Sequence, residues 1–311
     1  MADPKPNVTI IGAGRWGTAL TNLVRASHHP VQSWSRHSPQ PLADVIEGAT
    51  ILVSAVSMKG VWPTIQQLQL LGLDPSQIIV TATKGLDPIR RQTPSQLWQQ
   101  AFPHNPLVVL SGPNLSKEIE AGLPTATAVA SAQREAALAV QKVFASERLR
   151  VYINTDPLGT ELGGTLKNVM AIAAGVCDGL GLGTNAKAAL LTRALPEMIR
   201  VGTVLGAKAE TFFGLSGLGD LLATCNSPLS RNYQVGYKLG QGKSLEQIIQ
   251  ESEGVAEGLN TTAVLMQIAQ DRHLSLPITT QVAALLQGQL SPALAVQNLM
   301  ARDLTAEFNP S

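Results

Sequence analysis

Only two cysteines, Cys177 and Cys225, occur in 311 residues, and they form no CxxC. The expected state is two reduced, part-buried thiols in apolar, Gly/Ala-rich surroundings, with a disulfide between them as the alternative. The five histidines (His28, His29, His37, His104 and His273) show no ligand spacing with Cys or acids, so no metal site is expected. Charge is also scarce: charged residues make up 14% and the formal net charge is +1. So weak a field argues against nucleic acid, or a membrane surface, held by charge. Small anionic substrates stay open, because a local pocket needs only about two or three cations. Long apolar runs are missing too. The longest Gly/Ala-rich one, near Val169–Val176, lies between Lys167 and Asp178 and is too short to cross a bilayer. Met1–Asn7 carries Asp3 and Lys5 and lacks the basic segment and small-residue cleavage site of a secretory signal. A cytoplasmic protein without membrane insertion is the expectation.

What is present is hydrophobic patterning. Apolar residues make up 44%, ample for buried cores, and the length suits two domains. The first half alternates strand and helix signals. Strands are predicted at Val8–Ile11, Val31–Ser35, Ile51–Val56, Ile78–Thr83, Leu107–Leu110, Thr127–Ala130 and Leu149–Ile153. Helices are predicted over Ala19–Ala26 and Glu135–Phe144. Near-continuous apolar strands alternating with helices imply a parallel sheet covered on both faces, a doubly wound α/β domain. At Asp156-Pro157 the pattern changes to a helix start, with Asp as N-cap and Pro at the first helical position. Helical stretches follow: Pro157 to Gly179, Ala186 to Leu205, Tyr233–Leu239, Leu245–Glu251 (with a Ser244/Gln247 capping box), Thr262–His273, Thr280–Leu285 and Pro292–Arg302. The expected division is an α/β domain over residues 1–154 and an all-α domain over 155–311.

Gly12-Ala13-Gly14-Arg15-Trp16-Gly17 reads G-x-G-x-x-G directly after a strand and at the opening of a helix. In that context Gly12 permits the tight turn, Gly14 lets a pyrophosphate approach the backbone, and Gly17 lets helix and strand pack closely. The helix N-terminus then offers unpaired N–H groups to phosphate. A dinucleotide that is an NAD usually meets an acid about 20 residues on, at its ribose. Here the second strand ends Ser33-Trp34-Ser35-Arg36-His37, without an acid. Arg36 is placed to meet a 2′-phosphate, which favours NADP, or use of both NADP and NAD. His37 either assists or is a solvated surface histidine. The missing acid also weakens a methyltransferase reading.

Ligands of such sheets sit outside the carboxyl ends of the strands. Ser54–Lys59, Thr83-Lys84-Gly85 and Ser111-Gly112-Pro113-Asn114 lie there. Lys84 faces the crevice, to attract phosphate or polarise a carbonyl, unless it is an ordinary loop lysine. Gly112-Pro113-Asn114 presents N–H groups and an amide, or is simply a turn. On the helix after Pro157, Gly163, Gly164, Lys167, Ala171, Ala174 and Gly175 share one face. Small residues around one lysine leave room for a close approach, and desolvation there would lower its pKa and suit it to proton transfer. The alternative is tight helix packing with Lys167 reaching solvent. Gly214–Asp220 is a glycine-rich lead into a helix. Asp220 there is an N-cap, or else it holds a substrate hydroxyl or orients a lysine. Ser230 at an N-cap, with Arg231 and Asn232, makes either a plain cap or a phosphate cradle.

These motifs stand in a known order. The glycine turn running on to Leu20, Thr83-Lys84-Gly85, Leu110–Asn114, Leu166-Lys167-Asn168-Val169, Gly217–Leu221 and Ser230-Arg231-Asn232 resemble the bacterial-type NAD(P)-dependent glycerol-3-phosphate dehydrogenases, from about residue 8 to the last helices. The resemblance implies a Rossmann-type domain followed by an all-α domain like that of 6-phosphogluconate dehydrogenase. It implies interconversion of dihydroxyacetone phosphate and sn-glycerol 3-phosphate for glycerophospholipid synthesis, and a homodimer. Lys167 would be the proton donor and acceptor. Lys84, Gly112, Asn114, Asp220, Ser230, Arg231 and Asn232 would surround the substrate. Arg15, Trp16, Arg36, His37, Lys84, Ser116 and Arg231 would meet the cofactor beside the glycines, and Val255 and Glu257 would close over the nicotinamide side. There are departures. Arg15 stands where a small serine is more usual, Val56-Ser57-Met58 replaces a Val-Pro-Ser-like turn, and the stretch from Arg36 to Ile51 is short. The rival readings are another two-domain dehydrogenase acting on a hydroxy acid or sugar acid, and a non-catalytic regulator that senses NADP.

Overall fold

Short apolar strands of four to six residues carry the first half of the chain. The structure, a computed structural model, describes residues 5–251, 254, 256–304, 306 and 307. Strands β1 (Val8–Ile11), β2 (Val31–Trp34), β3 (Ile51–Ser54), β4 (Ile78–Thr81), β5 (Leu107–Ser111), β6 (Thr125–Ala130) and β7 (Leu149–Asn154) form one sheet in the order β2-β1-β3-β4-β5-β6-β7. Successive side chains leave opposite faces. Val8, Ile10, Val53, Val80 and Val108 build one core with the helices Arg15–Ala26 and Arg134–Phe144. Ile11, Leu52 and Ile79 build the other with Met58–Leu71 and Pro94–Ala101. Since β1 to β5 run parallel, their carboxyl ends open on a single edge, and the winding reverses between β1 and β3, the switch point where such sheets take ligands.

The expectation of a parallel sheet fails at β6, which runs antiparallel to β5, with β7 parallel to β6. A parallel crossover needs about a dozen residues or more, usually as a helix across the sheet. Between β5 and β6 only the five-residue Ser116–Glu120 helix forms, and the chain turns back at the edge it has reached. Leu42–Ile46, Met58–Leu71, Pro94–Ala101 and Ser116–Glu120 are additional to the helices read from the sequence. Among the described residues beyond Asn154 there is no strand. Asp156 caps the helix Pro157–Gly179, accepting from the Gly159 N–H at 2.9 Å, with Pro157 at its first position. Ser244 and Gln247 form the expected capping box. Both cysteines are buried free thiols. Among the described residues no helix is long and apolar enough to cross a membrane.

Pro157–Gly179 is buried on nearly every side, its polar residues Glu161, Thr165 and Lys167 included. It packs on β5 and β6 and is ringed by Gly183–Val204, Asp220–Cys225, Arg231–Gly240 and Glu257–Asp271. Arg231–Gly240 crosses it with the backbones nearly touching. A Cβ on Gly175 would lie 2.1 Å from the Tyr233 carbonyl oxygen, and one on Gly236 1.9 Å from that of Ile172.

The segment after β4 ties the sheet to the helices. The Gly85 N–H donates to Thr165 Oγ1 at 3.1 Å. Leu86 sits in the helical core, and its carbonyl accepts from Asn260 Nδ2 at 2.7 Å. Arg91 pairs with Asp271. The Ser95 N–H donates to the fully buried carboxyl of Glu161 at 2.9 Å, and the Ser95 hydroxyl donates to it as well. Burial pushes Glu161 up to about 7, against the opposing hydrogen bonds from Ser95 and Thr93. An acid raised in the folded state favours folding fully below its unfolded value and loses that contribution as pH rises through the folded one. The unfolding free energy, read from urea titrations, should therefore fall between about pH 4.5 and 7, by up to roughly 3 kcal/mol from this group. Glu161→Gln, whose amide fits the same donors, should show a flatter profile over that window, measured by denaturation at several pH values. An unchanged slope would show that Glu161 stays ionised.

Candidate active site

The glycine turn leaves β1 at the switch point. Gly12 adopts φ +116, and a Cβ there would lie 2.7 Å from the Ala55 carbonyl oxygen. A Cβ on Gly17 would fall 1.6 Å from the Gly12 carbonyl oxygen, so helix Arg15–Ala26 can start where it does only with glycine. Gly14 differs: a Cβ there meets nothing within 4 Å. The open side of Gly14, together with a first turn that has no side-chain cap and no acid, fits a pyrophosphate laid on the helix start. Trp16 Nε1 donates to the Ala82 carbonyl at 3.0 Å and anchors that start against the end of β4, two residues before Lys84. Arg15 is exposed beside the turn. Arg36 and His37 are exposed in the tight Ser35–Ser38 turn, closed by Ser38 N–H to the Ser35 carbonyl at 2.9 Å and by Ser35 N–H to Ser38 Oγ at 2.9 Å. Ser116, half-buried, opens the short helix after β5. Because β1 to β5 run parallel, all of these groups lie along the same edge of the sheet, where such folds take their ligands.

At that edge stands a lysine–carboxylate cluster. Lys167, only 6% exposed, donates to Asp220 Oδ1 at 2.7 Å and to Thr224 Oγ1 at 2.5 Å. Lys84 donates to the other oxygen, Asp220 Oδ2, at 2.5 Å and to the Gly112 carbonyl at 3.2 Å. Thr224 Oγ1 in turn donates to Asp220 Oδ1 at 3.2 Å. Lys84 is thus no ordinary loop lysine, and Lys167 points into the cluster instead of to solvent. Asp220 is the first residue of its helix and does not cap it; Gly219 holds the N-cap position. Burial lowers Lys167 to about 8, with the Asp220 charge opposing and the Lys84 charge adding to the fall. Two ammonium groups on one carboxylate leave a net positive centre at the sheet edge.

The small-residue face divides in two. Gly164 makes room for the site, since a Cβ would lie 2.3 Å from Ser111 Oγ and 3.2 Å from Lys84 Cε. Gly175, by contrast, serves the helix crossing. Asn114 accepts from Thr127 Oγ1 at 2.9 Å, which fixes its amide and turns the NH₂ into the remaining donor. Gly112 is pressed on β6, with a Cβ 3.0 Å from Thr127 Cα.

Helix Arg231–Gly240 supplies the third group. Ser230 caps it, accepting from the Tyr233 N–H at 3.2 Å. Asn232 is buried and accepts from the Gly258 N–H at 2.9 Å. The Arg231 guanidinium lies against Gly254, whose Cβ would sit 2.8 Å from Nη1. Glu257, half-buried, accepts from the Met58 backbone N–H and so caps the helix that follows β3. Burial raises its pKa, opposed by that hydrogen bond and by the charges of Arg231 and Lys59. Val255 lies outside the described residues. Thr224, Thr165 and Met58 are not among the candidate site residues read from the sequence. Only Thr224 carried a signal, four positions after Asp220 and so on the same helix face.

A dinucleotide cradle on a sheet edge, opposed by a buried lysine on a separate helical domain, defines a two-domain nicotinamide-dependent dehydrogenase. Comparison with known proteins sharpens the class. The family models described as NAD-dependent glycerol-3-phosphate dehydrogenase, N-terminus and C-terminus, match residues 7–41 with 37–137, and residues 156–297. The glycerol-3-phosphate dehydrogenase (NAD(P)+) of Acaryochloris marina is 60% identical over 300 residues, covering 96% of this chain and 97% of the relative. That of Nostoc sp. is 59% identical over 302 residues, covering 97% and 98%. The crystal structure of glycerol-3-phosphate dehydrogenase from Coxiella burnetii superposes with a TM-score of 0.90 at 35% identity, covering 96% of this chain and 99% of that one. The chain belongs to the NAD-dependent glycerol-3-phosphate dehydrogenase family.

The glycine geometry predicts opposite outcomes for two small changes. Gly14→Ala should fold with an unchanged thermal midpoint yet bind NADPH about tenfold or more weakly, read by fluorescence titration. Gly17→Ala should lose stability first. Equal NADPH affinity in Gly14→Ala and the wild type would remove the pyrophosphate from this turn.

Proposed function

We propose that the chain catalyses reversible hydride transfer between NAD(P)H and dihydroxyacetone phosphate, giving sn-glycerol 3-phosphate, with residues 1–154 holding the dinucleotide and 155–311 completing the substrate site. The observation that carries this reading is the buried Lys167, held on Asp220 beside Lys84 at the cofactor edge. When bound along Gly12–Gly17, the dinucleotide supplies or accepts the hydride. Lys167 holds the proton that the substrate oxygen takes up in reduction, and its charge stabilises the oxyanion as it develops. Asp220 keeps Nζ in place, and Thr224 fixes its direction. Lys84 adds a second positive charge at the same oxygen or at the phosphate. Arg231, the Asn232 amide and the helix start after Ser230 hold the phosphate, and Gly112 and Asn114 hold the hydroxyl end. Arg36, at the end of β2 with no acid beside it, supports NADP over NAD, with both accepted. Ser116 and Glu257 border the cofactor, with Val255. The cytoplasm and a homodimer are the setting that the family resemblance supports, and glycerophospholipid synthesis is the use.

The first test is NADPH absorbance loss on adding dihydroxyacetone phosphate, with NADH run in parallel. Rapid loss with the phosphate and little with unphosphorylated dihydroxyacetone is expected, and faster with NADPH. Loss with neither cofactor would leave the rival readings: another dehydrogenase substrate, or a regulator that binds without turnover. Lys167→Ala should cut kcat by about 10²–10⁴-fold, while Arg231→Ala should raise KM for the phosphate by about 10–100-fold. Reduction needs the protonated lysine and oxidation the neutral one. Reduction should therefore decline as pH rises through about 8, while oxidation increases over the same range. Identical pH profiles in both directions would take the proton away from Lys167.

A further inference from the structure

The helix that carries Arg231 and Asn232 needs something to hold it in register. Its crossing with Pro157–Gly179 is made by glycines: Gly175 faces the Tyr233 carbonyl, Gly236 that of Ile172, and Gly179 that of Tyr237. Backbones that meet without side chains lack the interdigitating ridges that normally resist sliding and rotation. A polar pin stands at the end of this crossing. Asp178, in the last turn of Pro157–Gly179, accepts two hydrogen bonds on the same oxygen, Oδ2: from the Tyr233 hydroxyl at 2.6 Å and from Lys187 Nζ at 2.6 Å. Lys187 comes from the first turns of Gly183–Val204, and its Nζ also lies 5.3 Å from the centre of the Tyr233 ring. The Tyr233 ring stacks on Tyr237, with centroids 6.2 Å apart. Three helices thus meet on one carboxylate oxygen.

Tyr233 directly follows Asn232, and its own N–H is the one that Ser230 caps. Any slip of the Tyr233 hydroxyl is therefore a slip of the helix start that presents Ser230, Arg231 and Asn232. On the opposite side Asn232 accepts from the Gly258 N–H at 2.9 Å, a contact from a separate helix. We infer that Asp178, Lys187 and Tyr233 form a positioning unit for phosphate recognition, setting where Arg231 and Asn232 stand without touching the substrate themselves. Burial, then the hydrogen bond to Asp178 and the charge of that carboxylate, raise the Tyr233 phenol above its ordinary range, so it stays a donor throughout the working pH. The inference rests on the proposed phosphate-binding role of Arg231 and Asn232.

The test compares wild type, Tyr233→Phe, Lys187→Met and Lys187→Arg on dihydroxyacetone phosphate and on unphosphorylated dihydroxyacetone, with thermal midpoints recorded alongside. Tyr233→Phe keeps the stacked ring and removes only the pin. Loss of one such hydrogen bond should raise KM for the phosphorylated substrate by about 5–20-fold, with kcat within about twofold. kcat/KM for dihydroxyacetone should hardly change, because that substrate has no phosphate to misplace. Lys187→Met should follow Tyr233→Phe, and Lys187→Arg should restore a KM near the wild-type value. A lower thermal midpoint with KM unmoved, or an equal fall on both substrates, would overturn the positioning role. A wild type that does not turn over dihydroxyacetone phosphate at all would instead overturn the function on which the inference stands.

Discussion

One buried carboxylate joins the two halves of this molecule. Asp220 receives Lys84 from the sheet edge on one oxygen and Lys167 from the central helix on the other. Two ammonium groups brought to the same low-dielectric spot would repel each other and shed a proton. With the carboxylate between them both can stay, and the cluster keeps one positive charge in excess. Removing one partner from a buried pair typically costs about 3–5 kcal/mol, so the geometry is strongly held. The chain delivers Asp220 through a wide, π-type helical turn, Leu215–Gly219, whose fit depends on small residues. A Cβ on Gly217 would meet the Phe212 carbonyl oxygen at 2.1 Å, and one on Gly163 would meet that of Ser216 at 2.8 Å. The glycine-rich lead before Asp220 is therefore a packing device, and the chemistry rides on it.

How much of this was legible depended on the range of the interaction. The strand cores, the Asp156-Pro157 helix start and the Ser244–Gln247 box are local patterns, and a sequence states local patterns directly. The glycine turn was also readable, because Gly12 and Gly17 answer constraints within a few residues or on the adjacent strand. The reversal of β6 was not, since nothing within Thr125–Ala130 records which way its neighbour runs; that follows from how little helix the preceding connection can form. Lys167 could be singled out from its small neighbours, but its partner 53 positions away could not be assigned from spacing. Asp220 remained divided between cap and ligand until the fold put two lysines on it. Glu257 capping the Met58 helix, and Glu161 meeting Ser95 across 66 positions, belong to the same class: contacts between domains with no sequence period.

The reversed strand also sets a measure for the active site. Because β7 runs against β1 to β5, Asn154 ends level with Val109, in the middle of β5, and the chain leaves the sheet heading away from the carboxyl ends of β1 to β5. The helix from Pro157 must therefore run back toward those ends before it can present anything there. It rises about 15 Å from Pro157 to Lys167 at about 1.5 Å per residue. Gly164 lies beside Ser111, the last residue of β5, and Lys167 stands about one turn further on. A single residue gained or lost along that climb would shift the lysine by about 1.5 Å and swing it by about 100°, away from Asp220. For this stretch of chain, then, length is as much a part of the active site as the identity of the residue at its end.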